Sequence, residues 1–226
     1  NFRSQWQGVT EGNLEKILKV LNAMWPVGVI IDEADAFLGD RNQDGDSGTS
    51  NRVFAALASF MGNTEYRGKI LWFLITSRPD LLPVDLKRQG RAEEHLALFY
   101  PQTPEEHDTL FQLMVKKSGL ETPAKSIREV IDDPSGLSGA DIEAILARTL
   151  LVADVSPTGA LVASVETLRH TFADFIPATS ALERELQILV AVQECTSREV
   201  LPEPYREMDR AVVLARVNEL RALLHS

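Results

Sequence analysis

Two short apolar runs stand out along the chain. Val27-Gly28-Val29-Ile30-Ile31 and Ile70-Leu71-Trp72-Phe73-Leu74-Ile75 are continuous and partly β-branched, the pattern of parallel strands buried on both faces. Ahead of the first, Leu14, Ile17, Leu18 and Leu21 recur at helical spacing, with Thr10 as the expected N-cap and Pro26 as the stop. Between the runs, Val53, Leu57 and Phe60 predict a helix over 52–61. The polar, glycine-rich stretch Gly39–Asn51 predicts a mobile surface loop. Counted as a calcium loop from Asp40, it places Asn42, Asp44 and Gly45 suitably, but position twelve is Asn51 instead of a bidentate Glu. Two buried strands joined by a helical crossover form a right-handed parallel unit. A third short strand is expected around His95–Phe99, closed by Pro101.

After Tyr100 the pattern turns helical, with helices expected near 104–117, 124–132, 138–153, 164–175, 180–194 and 206–224. Ser138 should cap the third of these, and Asp154–Ala163, with Pro157 and Gly159, should be a loop. Leu182, Leu186, Leu189 and Val190, then Val212, Val213, Val217, Leu220 and Leu224, give the last two helices a face to bury. Glu183, Arg184, Glu185 and Glu194 read as the solvated face of the first of these two. The organisation expected is residues 1–100 as an α/β core, 101–176 as a helical domain and 177–226 as a helical extension.

Composition narrows the function classes. The 226 residues are 44% hydrophobic and carry a formal charge of −10, which disfavours nucleic-acid binding by bulk electrostatics. A single cysteine, Cys195, allows no internal disulfide and fits a reducing, cytoplasmic setting. No run is long and apolar enough to span a membrane. The four histidines, at 95, 107, 170 and 225, show no metal-ligand spacing. Cys195 has no neighbour that would activate it as a nucleophile.

The chemistry is concentrated where the first apolar run ends, at Asp32-Glu33-Ala34-Asp35. A strand buried on both faces cannot carry adjacent carboxylates unless they emerge at its carboxyl end, where open α/β sheets bind their ligands. One carboxylate there can help hold Mg²⁺ and the next can take a proton from an attacking water. The tetrad also spells the signature of DEAD-type RNA helicases. Such a helicase needs a Ser-Ala-Thr element after the next strand, where Thr76-Ser77-Arg78 stands, and a second α/β lobe where this chain turns helical.

Taken in order, Asp32-Glu33, then Thr76-Ser77-Arg78-Pro79-Asp80, then Leu86-Lys87-Arg88-Gln89-Gly90-Arg91, then Gly136-Leu137-Ser138-Gly139-Ala140-Asp141 resemble the AAA subfamily of AAA+ ATPases over residues 4–150. The resemblance implies an α/β, P-loop NTPase-type parallel sheet followed by an all-α lid and C-terminal helices. It implies ATP and Mg²⁺ as cofactors, with Asp32 the Walker B residue that reaches Mg²⁺ through water and Glu33 the base for the attacking water. Ser77 falls on the sensor 1 position usually held by Asn. A hydroxyl there can orient a water or phosphate oxygen over a shorter reach. Arg88 and Arg91 fall on the two arginines offered to a neighbouring subunit's nucleotide, and Gly139 and Ala140 on the sensor 2 residues beside adenine and ribose. Trp6 falls on the aromatic of the first pore loop, which grips a translocating polypeptide.

Gln89 replaces the family's proline, and no Gly-x-x-x-x-Gly-Lys-Ser/Thr occurs in the 226 residues. That loop supplies the backbone N–H groups and lysine that hold the β- and γ-phosphates. We therefore expect an N-terminally incomplete sheet, with the phosphate loop upstream of residue 1, and a 226-residue chain that is inactive alone. The resemblance as a whole implies an ATP-driven protein-remodelling or unfolding enzyme working as a homo-oligomeric, hexameric ring on protein substrates. The alternative is a catalytically impaired AAA-like scaffold or regulatory module.

Overall fold

The structure is a computed structural model that describes residues 7–38 and 47–224. By contact the chain divides into two compact units. The first takes in the residues up to Ala97 together with Leu186–Arg221, and the second takes in Leu98–Glu185 and the residues after Arg221.

In the first unit, helix α1 (Gln7–Met24) leads through Trp25-Pro26 into strand β1 (Val27–Ile31), followed by helices α2 (Ala34–Leu38) and α3 (Ser47–Met61) and strand β2 (Ile70–Leu74). The strands pair in parallel, with Val27 opposite Ile70 and Ile31 opposite Leu74. One face of the pair packs on α3. Leu57, Ala58 and Met61 join Ala34, Leu38, Leu82 and Leu86 in a buried cluster that Ile31, Trp72 and Leu74 line. The other face is open, unlike the two-sided burial expected from the sequence. Ile30 is 68% and Leu71 61% exposed, because alternate residues of each strand face away from α3 and no described element covers them.

Three local expectations are corrected here. Helix α1 begins at Gln7, so Thr10 lies inside it and does not cap it. Helix α3 begins at Ser47, which makes the end of the expected 39–51 loop helical; residues 39–46 lie outside the described residues. Residues 95–99 form no strand among the described residues. The His95 N–H donates to Thr196 Oγ1 at 3.0 Å and the His95 carbonyl accepts from the Thr196 N–H at 3.3 Å, so a distant loop holds the backbone that a sheet neighbour would have held.

The second unit is built on helices α4 (Pro104–Ser118), α5 (Gly139–Val152) and α6 (Val165–Ala173). Their starts are written in local chemistry. Thr103 and Glu106 form a reciprocal capping box with Pro104 in the first turn, and Ser138 and Asp141 form another. Gly119, in the left-handed region at φ 72°, ends α4. Phe111, Ile127, Ile142, Ile145, Leu146 and Leu168 are fully out of solvent and make the core.

The helix expected at 124–132 is reduced to a single 3-10 turn, Ile127–Glu129. Asp108 Oδ1 on α4 accepts from both Ser126 Oγ at 2.8 Å and the Ile127 N–H at 2.9 Å, pinning the turn where Ile127 enters the core. The loop expected at 154–163 is a small antiparallel hairpin, β3 (Asp154–Val155) with β4 (Leu161–Val162). Helices α7 (Ala181–Glu194) and α8 (Arg210–Leu224) complete the chain, the latter starting four residues later than expected. They bury Leu189, Val190, Val213, Val217 and Leu220, while Leu182 and Val212 stay exposed.

Replacing Ile145, wholly buried between α4 and α6, with Ala is expected to cost about 2–5 kcal/mol. The midpoint of urea unfolding, followed by circular dichroism, measures it.

Candidate functional site

The site is built from two strand ends. β1 and β2 run parallel with matched termini, so the residues after Ile31 and after Leu74 leave the sheet at the same edge. The ladder continues past the strands: the Ile75 N–H donates to the Ile31 carbonyl at 2.9 Å and the Ala34 N–H to the Ile75 carbonyl at 2.9 Å. Asp32 and Glu33 therefore sit next to Thr76 and Ser77. All but Thr76 are exposed at this edge.

The turn at Asp32-Glu33 is sharp. Asp32 Oδ1 accepts from the Glu33 N–H at 2.9 Å, and Glu33 holds φ 49°, the left-handed region that side chains enter at a cost. The Glu33 carbonyl then accepts from the Ala36 and Phe37 N–H groups, which starts α2. Asp35 and Thr76 lock this corner. The Thr76 hydroxyl hydrogen-bonds Asp35 Oδ1, and its oxygen accepts from the Arg78 N–H at 2.9 Å. The sequence signalled neither residue as part of the site: Asp35 read only as the last letter of the helicase tetrad, and the Asp35–Thr76 tie joins positions far apart in the chain.

Behind Ser77, Asp80 gathers two arginines. Its carboxylate accepts Arg78 Nε and Nη2 at 3.1 Å each, and Arg221 Nη2 at 3.1 Å. Burial alone would raise the Asp80 carboxyl. The Arg78 hydrogen bond and the charges of Arg78 and Arg221 outweigh it, so it ends below its usual range, and the same contact with Asp80 raises Arg78.

The two candidate arginines differ in freedom. Arg88 is 69% exposed, with one surface ion pair to Asp85 at 3.2 Å. Arg91 is half-buried; its Nη1 donates to the Asp85 carbonyl at 2.6 Å and its Nε lies where a Cβ on Gly62 would approach to 3.2 Å. Gly90, at φ 84°, makes the turn between them.

In the second unit, Gly139 opens α5 behind the Ser138 cap. A Cβ there would meet Met114 at 3.4 Å and Leu110 at 3.6 Å, ordinary contact distances, so the packing of α5 on α4 leaves room for a small side chain. Ala140 is exposed on the first turn. Trp6 lies outside the described residues.

The donor set at the strand ends is one of hard oxygens. Asp32 and Glu33 are exposed carboxylates, and among the described residues no cluster of three or more His, Cys, Asp or Glu could hold a metal by itself. As hard-oxygen donors, Asp32 and Glu33 are of the kind that Mg²⁺ takes, one or two carboxylates with water and phosphate oxygens completing its shell. No helix of the described residues is long and apolar enough to cross a membrane.

Comparison with known proteins finds similarity to ATPases. The family model described as "ATPase family associated with various cellular activities (AAA)" matches residues 1–100. The chain is 27% identical over 142 residues to the ATPase family protein 2 homolog of Caenorhabditis elegans, covering 63% of this chain and 20% of that protein. It is 28% identical over 142 residues to the cell division cycle protein 48 homolog of Archaeoglobus fulgidus, covering 63% and 19%. With the peroxisomal ATPase PEX6 of Penicillium chrysogenum it shares 28% over 151 residues, covering 65% and 10%. The chain thus spans a fifth or less of the length of these relatives.

Asp80 gives a pH signature with a definite sign. Its folded carboxyl lies below the ordinary value of 3.8, so the stability it contributes is complete above that value and is lost as pH falls through the lowered folded one. Asp80→Asn should flatten this part of the acid limb. Urea midpoints taken from about pH 5 to about pH 3 check it.

Proposed function

We propose, from the premise that this chain belongs through its residues 1–100 to the AAA family of ATPases, that it is the hydrolytic and assembly-bearing part of an ATP-driven protein-remodelling enzyme. The enzyme works as a homo-oligomeric ring, hexameric and cytoplasmic, on protein substrates. One observation carries the reading: the parallel strand ends place the Asp32-Glu33 pair beside Thr76-Ser77, with the Asp35–Thr76 tie holding that corner shut.

In this reading Asp32 reaches Mg²⁺ through water, and Mg²⁺ when bound neutralises charge on the transferring phosphoryl oxygens. Glu33 takes the proton of the attacking water. Glu33 is exposed at the left-handed turn after β1, whereas the Asp35 carboxylate is engaged by the Thr76 hydroxyl. Ser77 orients that water or a phosphate oxygen. Arg88 is the arginine offered to a neighbouring subunit: an exposed guanidinium with one surface ion pair, worth little in water, costs little to redirect. Arg91 supports it from within the subunit, through the Asp85 carbonyl. Gly139 and Ala140 lie beside adenine and ribose, within a lid of residues 101–176, and Trp6 grips the substrate polypeptide. The 226 residues, which contain no phosphate loop, turn over no ATP by themselves.

A second reading, a scaffold or regulatory module that has lost hydrolysis, is favoured by Ser77 where the family carries Asn. The gene upstream of the Asn1 codon separates the two. A Gly-x-x-x-x-Gly-Lys-Ser/Thr within a few dozen codons supports the enzyme, and a protein that carries it yet hydrolyses no ATP supports the scaffold.

In that longer protein, Glu33→Gln should leave ATP binding intact and slow turnover roughly 10²–10⁴-fold. Undiminished turnover would remove Glu33 from the role of base. Arg88→Ala should lower turnover by a factor on the order of 10³ without shifting the unfolding midpoint. Mixing this variant with the Glu33→Gln protein should restore part of the activity, as expected for a residue supplied in trans.

A further inference from the structure

The long-range polar contacts of the first unit are not spread evenly. Several of them join the two segments that carry Ser77 and Arg88 to the C-terminal helices. Arg221 of α8 reaches Asp80, three residues past Ser77, at 3.1 Å. Glu194, the last residue of α7, pairs with Lys87, next to Arg88, at 2.8 Å. The Lys87 side chain is only 14% exposed and that of Glu194 27%, so neither charge has full access to water as a substitute partner.

Around the second contact the chain is fastened again. His95 exchanges hydrogen bonds with Thr196, and its imidazole lies 2.9 Å from the Glu194 carbonyl and 2.9 Å from the Ala92 carbonyl. The Cys195 thiol donates to the His95 carbonyl at 3.3 Å, and Arg210 of α8 closes the group by donating to the Cys195 carbonyl at 3.0 Å. The helices themselves are anchored by Val190, Val192, Val213, Val217 and Leu220, which are buried and apolar. These apolar contacts are separate from the two ion pairs, which lie between the helices and the loops.

We propose that Arg221 and Glu194 are positioning residues. Acting through Asp80 and Lys87, they make α7 and α8 a strut that holds the Ser77 segment and the Arg88 segment in register with the strand ends. The functional half of this proposal rests on the reading of Ser77 and Arg88 given above; the mechanical half does not. Movement of the C-terminal helices, by a partner or by assembly, would then reach both loops at once, through contacts separated by more than 100 residues of chain.

Hydrogen exchange on the 226-residue chain, resolved by residue, tests the strut. Arg221→Gln should speed exchange of the Leu81 and Leu82 amides, which bond to the Arg78 and Pro79 carbonyls, by about tenfold. Glu194→Gln should do the same at Lys87, Arg91 and Ala92, whose amides close the turn around Arg88. Amides of α5 should stay unchanged in both. The exchanged pair Lys87→Glu with Glu194→Lys should return the 87–92 amides toward their original rates. Unchanged exchange over 81–92, or a folded exchanged pair that restores nothing, overturns the strut.

The functional half is read in the longer protein carrying a phosphate loop. There Arg221→Gln should lower kcat by about tenfold with KM held, and a change confined to KM overturns it. Faster exchange in a protein without turnover would leave the strut standing and remove the nucleotide reading alone.

Discussion

The first unit depends on one arrangement: β1 and β2 are parallel and end together. Ile31 faces Leu74 across the ladder, Ile75 donates back to Ile31, and Ala34 donates back to Ile75. This cross-bonding carries the sheet one residue beyond its strands and delivers two acids and two hydroxyls to a single edge. A register slip by one residue would invert every side chain on the slipped strand and scatter the edge. The apolar packing of Ile31, Trp72 and Leu74 against the α3 cluster guards against that slip, since it would turn the side chains of the slipped strand to the open face. The Thr76 hydroxyl on Asp35 then ties the two exits together.

Elements whose cause is local were legible in the sequence. The two strands are continuous apolar runs, and the Ser138 cap with Asp141 three residues on is a short-range signature that the structure reproduces. Elements decided at a distance were not legible. Residues 95–99 read as a short apolar strand, yet Thr196 holds their first backbone groups. The turn at Ile127 is set by Asp108, and the start of α3 extends into a stretch whose glycine and polar content reads as loop. Within the candidate site, Asp32 and Glu33 stand out in the sequence as acids at the end of an apolar run, and Ser77 only through the family resemblance. Asp35, Thr76 and the different settings of Arg88 and Arg91 do not, because they follow from contacts across the fold.

The charged residues of α7 make the same point in reverse. Glu183, Arg184, Glu185 and Glu194 look alike in sequence, a polar stripe on an amphipathic helix. Glu183 accepts the Ser180 N–H at 2.8 Å and caps α7, a hydrogen bond that lowers its carboxyl. Arg184 donates to the Gly136 carbonyl at 2.7 Å, and Glu194 meets Lys87. Side-chain pattern alone assigns all of them to solvent. Position relative to helix ends and neighbouring loops gives at least three of them separate work.

Glu33 carries one more consequence. Its backbone occupies a region that costs an ordinary L residue on the order of 1 kcal/mol and costs glycine almost nothing. Selection for folding alone would favour Gly or Asn at that corner. A long acidic side chain held there means the molecule forgoes stability at the point where the carboxyl edge of its sheet turns, so a screen for thermostable variants should be drawn to position 33.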